Sequence, residues 1–505
     1  MNKIALFSLV YVVLPWHAAV ASATVPDVTP GIDALRSGRF DMARDTFAQI
    51  TSRNSQAPEG PFFEAFHLWW RLADHPEDLA LRQAMEERLS EAARRARLLM
   101  DADDQADRQR GELFQGVSMM LDAQSKATRG IRFGAASLVR QGHKALTQAL
   151  EASPESADAL FAMGAYNYYA DRLPLLVKGI RFLLLIPGGD SVKGISQLEK
   201  AGEQSRLFGA ESLMLLAHIF SGAYEVDYRR ALAYVDKAAA RYPESPLIAL
   251  ARADLLFKLG NLRQSIGLAG RTLGLVEGGS GYAVEIERAL AFRAAECSLR
   301  LYDPIDAFTR VESSLDRSLP ETPEEKNRWV GLWVDAARDA GRLSPERLEA
   351  LLARLGIPDA VGEAMRRRAN KEDATRTAAN AARAEALHIL SSGGTEAAIR
   401  QLQGLSDRSP ADLRLRYDLG RILQQEGRLA DARPQLTAVA ELARSSQTAD
   451  LAGWALLRLG WELERDGKRS EALVLYRRAA DLRQFTFQPA ALDRLALPHP
   501  AQPEG

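Results

Sequence analysis

The sequence predicts an all-α solenoid, and three observations carry that prediction. A pattern of small, glycine, alanine and bulky positions returns every 34 residues near the C-terminal end, as from Gly393 to Gly427. Ala, Leu, Arg and Glu dominate, and no stretch reads as a run of β-strands. The 505 residues exceed what one compact core needs, whereas stacked units grow without one.

The pattern is most regular in the segments 379–412, 413–446 and 453–482. Each has a small residue in its first helix (Ala386, Gly420, Gly460) and a glycine seven positions later (Gly393, Gly427, Gly467). An alanine follows (Ala398, Ala432, Ala472), and four positions on a bulky apolar residue (Leu402, Leu436, Tyr476). The small residue lets two helices approach, and the glycine turns the chain between them. The alanine and the bulky residue share one helix face. Pro410 ends a unit. These positions resemble the tetratricopeptide repeat, TPR. The resemblance implies roughly nine to eleven antiparallel helix pairs in a right-handed superhelix, and a default role of holding a partner.

Earlier units follow the template with insertions. Gly38, Ala43 and Phe47 fit the turn, small and bulky positions of 31–50, and 137–154 reads as a second helix. Gly164 takes the small position in 159–171. Ala217, Ala231, Val235, Ala238 and Pro243 mark 213–243, Gly260 turns 247–273, and Ala295, Ala307 and Val311 mark 289–314. Two places break the rhythm. Gly278-Gly279-Ser280-Gly281 has no strand before it and no Gly-Lys-Ser/Thr after it, so it reads as a connector, not a phosphate loop. Residues 355–377, with Pro358, Gly362 and the run Arg366-Arg367-Arg368, read as a linker or one long solvated helix. The expected organisation is a signal peptide at 1–23, a divergent array at 24–356, a charged linker or helix at 357–378, a regular array at 379–487 and an unstructured tail at 488–505.

The first segment has the features of a secretory signal: Lys3, the apolar run Ile4 to Leu14, and the small-x-small sites Ala19-Val20-Ala21 and Ala21-Ser22-Ala23. No cysteine lies near them, so a cleaved, non-lipidated chain is expected in the periplasm or secreted, without a transmembrane segment. The sole cysteine, Cys297, makes no internal disulfide and reads as a small buried hydrophobe. The formal charge of −1 gives no global attraction to nucleic acid.

Residues 157–174 carry Gly164, Tyr166-Asn167-Tyr168-Tyr169 and Pro174, upstream stand Pro61-Phe62-Phe63 and Trp69-Trp70, and Pro187-Gly188-Gly189-Asp190 follows. This set, within 31–314, is similar to a family of exported bacterial TPR proteins of unknown role. Asp190 reads as an N-cap after a glycine turn, or as part of an anion site that its own charge opposes. The apolar run 173–186, broken by Lys178 and Arg181, is too short to span a bilayer and reads as a buried or a membrane-surface helix. Tyr166 and Tyr169 share a face, and with Asn167 they are candidates to line a small-ligand or lipid cavity.

The catalytic motifs H-E-x-x-H, C-x-x-C, G-x-S-x-G and the Walker loop do not occur. No metal or cofactor is expected, and the chain does not read as an enzyme. What remains is the groove that first helices line in TPR arrays. The resemblance carries groove positions onto Arg383 and Leu387, then Arg414, Tyr417, Arg421 and Gln424, then Trp454, Leu457 and Trp461. Arg and aromatic side chains suit an acidic protein or peptide partner. The same Arg residues are equally suited to pairing with neighbouring carboxylates. The Lys and Asn set of chaperone-binding TPRs is absent.

Overall fold

The structure, a computed structural model, describes residues 25–74, 78–172, 187–276, 282–301, 303–369, 374–391, 393–442, 449–482, 487–496 and 498. Among them are 24 helices and no strand. The first eight are α1 (Thr29–Arg36), α2 (Phe40–Arg53), α3 (Glu59–Asp74), α4 (Leu79–Met100), α5 (Gln105–Thr128), α6 (Arg132–Ala152), α7 (Ala157–Asp171) and α8 (Ser191–Gln204). Then come α9 (Gly209–Ser221), α10 (Tyr228–Arg241), α11 (Pro246–Lys258), α12 (Leu262–Val276), α13 (Tyr282–Arg300), α14 (Pro304–Arg317), α15 (Pro323–Asp339) and α16 (Pro345–Leu355). The last are α17 (Asp359–Ala369), α18 (Ala374–Ser391), α19 (Thr395–Arg408), α20 (Leu413–Gln425), α21 (Leu429–Leu442), α22 (Ala449–Arg465), α23 (Arg469–Asp481) and α24 (Gln488–Ala496).

Two compact units result. The first contains the described residues before Ala34, with Asp41–Lys200 and Gln204–Leu207; the second contains Ala34–Phe40, Ala201–Glu203 and the chain from Phe208 onward. The division falls near residue 207, not at the expected boundary of 356, because the helices from α9 onward pack into one body with those after 378.

In the first unit α4, α5 and α6 are long antiparallel neighbours. A Cβ at Gly111 would stand 2.6 Å from the Ala96 carbonyl oxygen, so only glycine lets α5 lie that close to α4. An aromatic ladder runs from Phe47 through Phe63 and Phe62 to Phe114, with ring centroids 5.4, 5.2 and 5.5 Å apart. Arg95 donates to the Asn54 and Ala57 carbonyls at 3.0 and 3.2 Å and so holds the turn between α2 and α3.

In the second unit four helices start alike, with a capping side chain followed by proline: Ser245-Pro246, Asp303-Pro304, Thr322-Pro323 and Ser344-Pro345. The cap oxygen takes an orphan N–H, and the proline lacks the N–H that would have no partner. The repeat positions do what their spacing implies. Gly393, Gly427 and Gly467 turn the chain at φ of 87°, 75° and 74°. Gly420 lies under Leu436 and Gly460 under the Tyr476 ring, while Ala398, Ala432 and Ala472 are fully buried. Trp329 and Trp333 centre one core with Phe308 and Leu352, and Tyr417, Trp454 and Tyr476 centre another.

Two expected segments differ. The tail is helical from Gln488 to Ala496, with Pro489, Ala490 and Ala491 buried. Phe487, fully buried against Gly453, anchors it, and Arg469 donates to the Arg494 carbonyl at 2.6 Å. The stretch after 357 is not an extended linker: α17 is a helix whose Met365 and Ala369 pack on the Trp329 core, and residues 370–373 lie outside the described residues. Arg366 there pairs with Glu349 at 2.6 Å. The signal segment, the apolar run 173–186, the glycine cluster 278–281 and residues 499–505 lie outside the described residues.

Gly460→Ala should destabilise by about 1–3 kcal/mol, since Tyr476 is enclosed and its hydroxyl is held by Glu464 at 3.0 Å. Gly404→Ala, in the interior of α19 with nothing within 4 Å, should stabilise by about 0.5–1 kcal/mol. Urea denaturation midpoints of the two variants would check the opposite signs.

Candidate functional site

The predicted groove residues stand on α18, α20 and α22, the first helices of the three regular repeats. The structure brings most of them together, but in an interior. Arg383, Arg421, Gln424 and Trp454 are each 2% exposed, and Tyr417 is fully buried. Leu387 and Leu457 are buried too. Arg414 is partly exposed. Trp461 is half-buried, with the Arg465 guanidinium 5.5 Å over its ring. As an open groove the assignment therefore fails, because the reach of these side chains ends on other helices of the same unit.

Their partners explain the burial. Arg383 donates to Asp418 and lies 3.9 Å from Asp339, which also pairs with Arg414. Arg458 donates to the Tyr417 hydroxyl at 3.0 Å and to the Gln424 side-chain oxygen at 3.2 Å, and Gln424 donates back to the Arg458 carbonyl at 3.1 Å. Glu462 accepts from Arg433. Trp454 packs edge-on to Phe487 at 6.5 Å, beside the turn at Gly260.

Burial works to raise the Asp339 carboxyl, but the Arg414, Arg383 and Arg338 charges outweigh it and hold the group below the usual carboxylate range. Burial lifts Asp418 above that range against the pull of Arg383 and Arg421. Asp339, Asp418, Arg458 and Glu462 were not among the sequence candidates. Asp418 could have been found as the neighbour of Tyr417 on a first helix. Asp339 could not, since it arrives from 75 residues away.

The candidates for a ligand cavity in the first unit are also engaged internally. The Tyr166 hydroxyl donates to the Pro187 carbonyl at 2.6 Å, and its ring meets His143 at 4.8 Å. Asn167 donates to Gln197 at 2.7 Å. Tyr169 is exposed, edge-on to Tyr168. Tyr166 and Asn167 thus tether the chain around α8. Asp190 caps α8 by accepting from the Lys193 N–H at 3.0 Å.

Cys297 is enclosed beside Phe257 and Leu262, and burial pushes its thiol up to about 11, so it stays neutral and unreactive near pH 7. Burial, then the Arg71 and Arg44 charges, push His67 down to about 4, leaving it a neutral imidazole at pH 7. Among the described residues no group of three or more His, Cys, Asp or Glu could hold a metal ion, and no helix is long and apolar enough to cross a membrane.

The tetratricopeptide repeat family matches residues 226–275 and 383–447. The chain carries tetratricopeptide repeats in these two stretches. The second match spans α19, α20 and α21 and the second half of α18, and so takes in the buried Arg383–Asp418 pair; the first spans α10 to α12. Proteins of this kind bind protein partners. Among solved structures, yeast Tom70 is 13% identical, with 92% of this chain and 93% of that chain covered and a TM-score of 0.29. The TPR domain of P58(IPK) is 16% identical over 78% of this chain and 97% of its own, with a TM-score of 0.19. A monomeric mutant of IFIT1 with m7Gppp-AAAA is 13% identical over 81% and 78%, with a TM-score of 0.28. No curated protein matches the chain.

Tyr417→Phe should cost this TPR protein about 1–3 kcal/mol, because it leaves the buried Arg458 Nε–H without its acceptor. The shift of the urea midpoint of the second unit measures it. An unchanged midpoint would show that water or another group replaces the hydroxyl.

Proposed function

We propose that this TPR protein is an exported scaffold that binds another protein in the bacterial cell envelope and carries no catalytic activity of its own. The observation that carries the reading is the repeat itself. Stacked helix pairs, matched by the TPR family in two stretches, form a large surface on a rigid interior, which suits recognition. The signal-like segment with Lys3, Ile4 to Leu14 and the Ala19–Ala23 cleavage sites supports export. The interior placement of Arg383, Arg421 and Gln424 moves the expected contact surface away from them. It also changes the choice of test: Arg421→Glu would damage the fold, so lost binding would say nothing about contact.

The test is photo-crosslinking in cells from probes placed at exposed positions, combined with fractionation and N-terminal sequencing. A mature chain beginning at Ser22 or Thr24 in the periplasmic fraction, with a discrete heteromeric adduct from a subset of probes, is the expected result. A chain retaining Met1 in the cytosol would overturn the export reading. Probes that yield only uncrosslinked protein would overturn the scaffold reading.

A further inference from the structure

Helix α14, the turn between α15 and α16 and the first turn of α16 enclose an open cleft of about 500 Å³ in the second unit. One wall is a stripe of α14 that includes Phe308, Glu312, Ser313 and Asp316, spaced so that they share a face. Facing it stand Arg342 and Arg347. Both cations sit over one ring: the Arg342 guanidinium is 5.6 Å and the Arg347 guanidinium 4.9 Å from the Phe308 centroid. Phe308 itself is 2% exposed and forms the floor.

The charges in the cleft are unevenly satisfied. Asp316 pairs with Arg354 at 2.9 Å, and Glu312 accepts from the Trp333 indole N–H. Arg347 reaches Glu312 only at 3.8 Å. Arg342 makes no ion pair among the described residues; its guanidinium has the ring contact alone. Two guanidinium groups over one ring, one of them without a carboxylate, favour an incoming anion. The wall that carries Arg342 is fixed. Gly341 turns at φ 65°, a Cβ there would stand 2.6 Å from Ala381, and the Arg342 N–H donates to the Ala337 carbonyl at 2.7 Å.

We propose that this cleft binds a short extended peptide segment that presents an acidic side chain to Arg342 and Arg347. A carboxylate matches the planar guanidinium fork. From Phe308 to Asp316 the stripe is about 12 Å long at 1.5 Å per residue, the length of about four extended residues. Glu312 and Asp316 on the facing wall accept peptide N–H groups, and the same two carboxylates repel a polyanion such as a nucleic-acid backbone. The site lies on a second helix, away from the first-helix positions of Arg383 and Arg414. The inference rests on the protein-binding reading and names one surface for it.

The test uses the full chain and fluorescein-labelled eight-residue Gly/Ser peptides carrying a central Leu-Glu-Leu, or Leu-Gln-Leu in its place. Fluorescence anisotropy at low salt should show the Glu peptide binding about tenfold or more tightly than the Gln peptide. The double variant Arg342→Glu with Arg347→Glu should lose that preference, with thermal melting showing it folded, since both side chains are exposed. Ser313→Trp, which fills the cleft without changing charge, should block binding as well. Equal binding of the two peptides, retained preference in either variant, or displacement by millimolar inorganic phosphate would overturn the proposal. Loss of all crosslinked partners with peptide binding intact would overturn the scaffold reading and leave the cleft standing. Intact partner crosslinking with no peptide preference would overturn the cleft alone.

Discussion

The second unit depends on one constraint: a charge removed from water must meet a counter-charge and its hydrogen bonds, or the fold loses several kcal/mol. Arg383, Asp418 and Arg458 are at most 2% exposed, and each finds its partner on another helix. Arg383 meets Asp418 from 35 residues away, and Arg458 meets Tyr417 from 41. Apolar packing tolerates a small sliding of one helix pair on the next. A fork of donors that must meet one carboxylate does not. The buried Arg383–Asp418 ion pair and the Arg458–Tyr417 hydrogen bond therefore set the register of the three C-terminal repeats, while Gly460 under Tyr476 and Gly420 under Leu436 set how closely each pair packs.

This constraint turns the expected function of the groove positions around. Arg and aromatic side chains on first helices have the composition of a binding surface, but here they recognise Asp339, Asp418, Gln424 and Gly260 of the same unit. A rigid interior of this sort leaves recognition to residues that the core does not need. The α14 cleft fits that description: Phe308 is held by the core, while Arg342 and Arg347 project beyond it.

What was legible in the sequence was what depends on spacing along one or two helices. The turn glycines, the small-to-bulky contacts, the N-cap at Asp190 and the enclosed Cys297 all follow from a few residues and local stereochemistry. The position of the unit boundary and the fate of the groove were not legible, because both depend on contacts between residues far apart in the chain. Asp339 joins Arg414 from the end of α15, and nothing in the spacing around either one points to the other. The tail misled for a different reason. Pro489 and the prolines beyond it look like a helix-poor end, yet Pro489 occupies the first turn of α24, where the missing N–H is harmless, and Phe487 supplies the apolar anchor.

The central claim is that the Arg383–Asp418 pair holds the repeats together. A double-mutant cycle on the full chain tests it most directly, using Arg383→Met, Asp418→Leu and the combination, read by urea unfolding of the second unit. Each single change should cost about 3–5 kcal/mol by leaving a buried charge alone, and the double variant should cost well below the sum. Additive, small losses would contradict the account, and would return Arg383 to the pool of residues available to a partner.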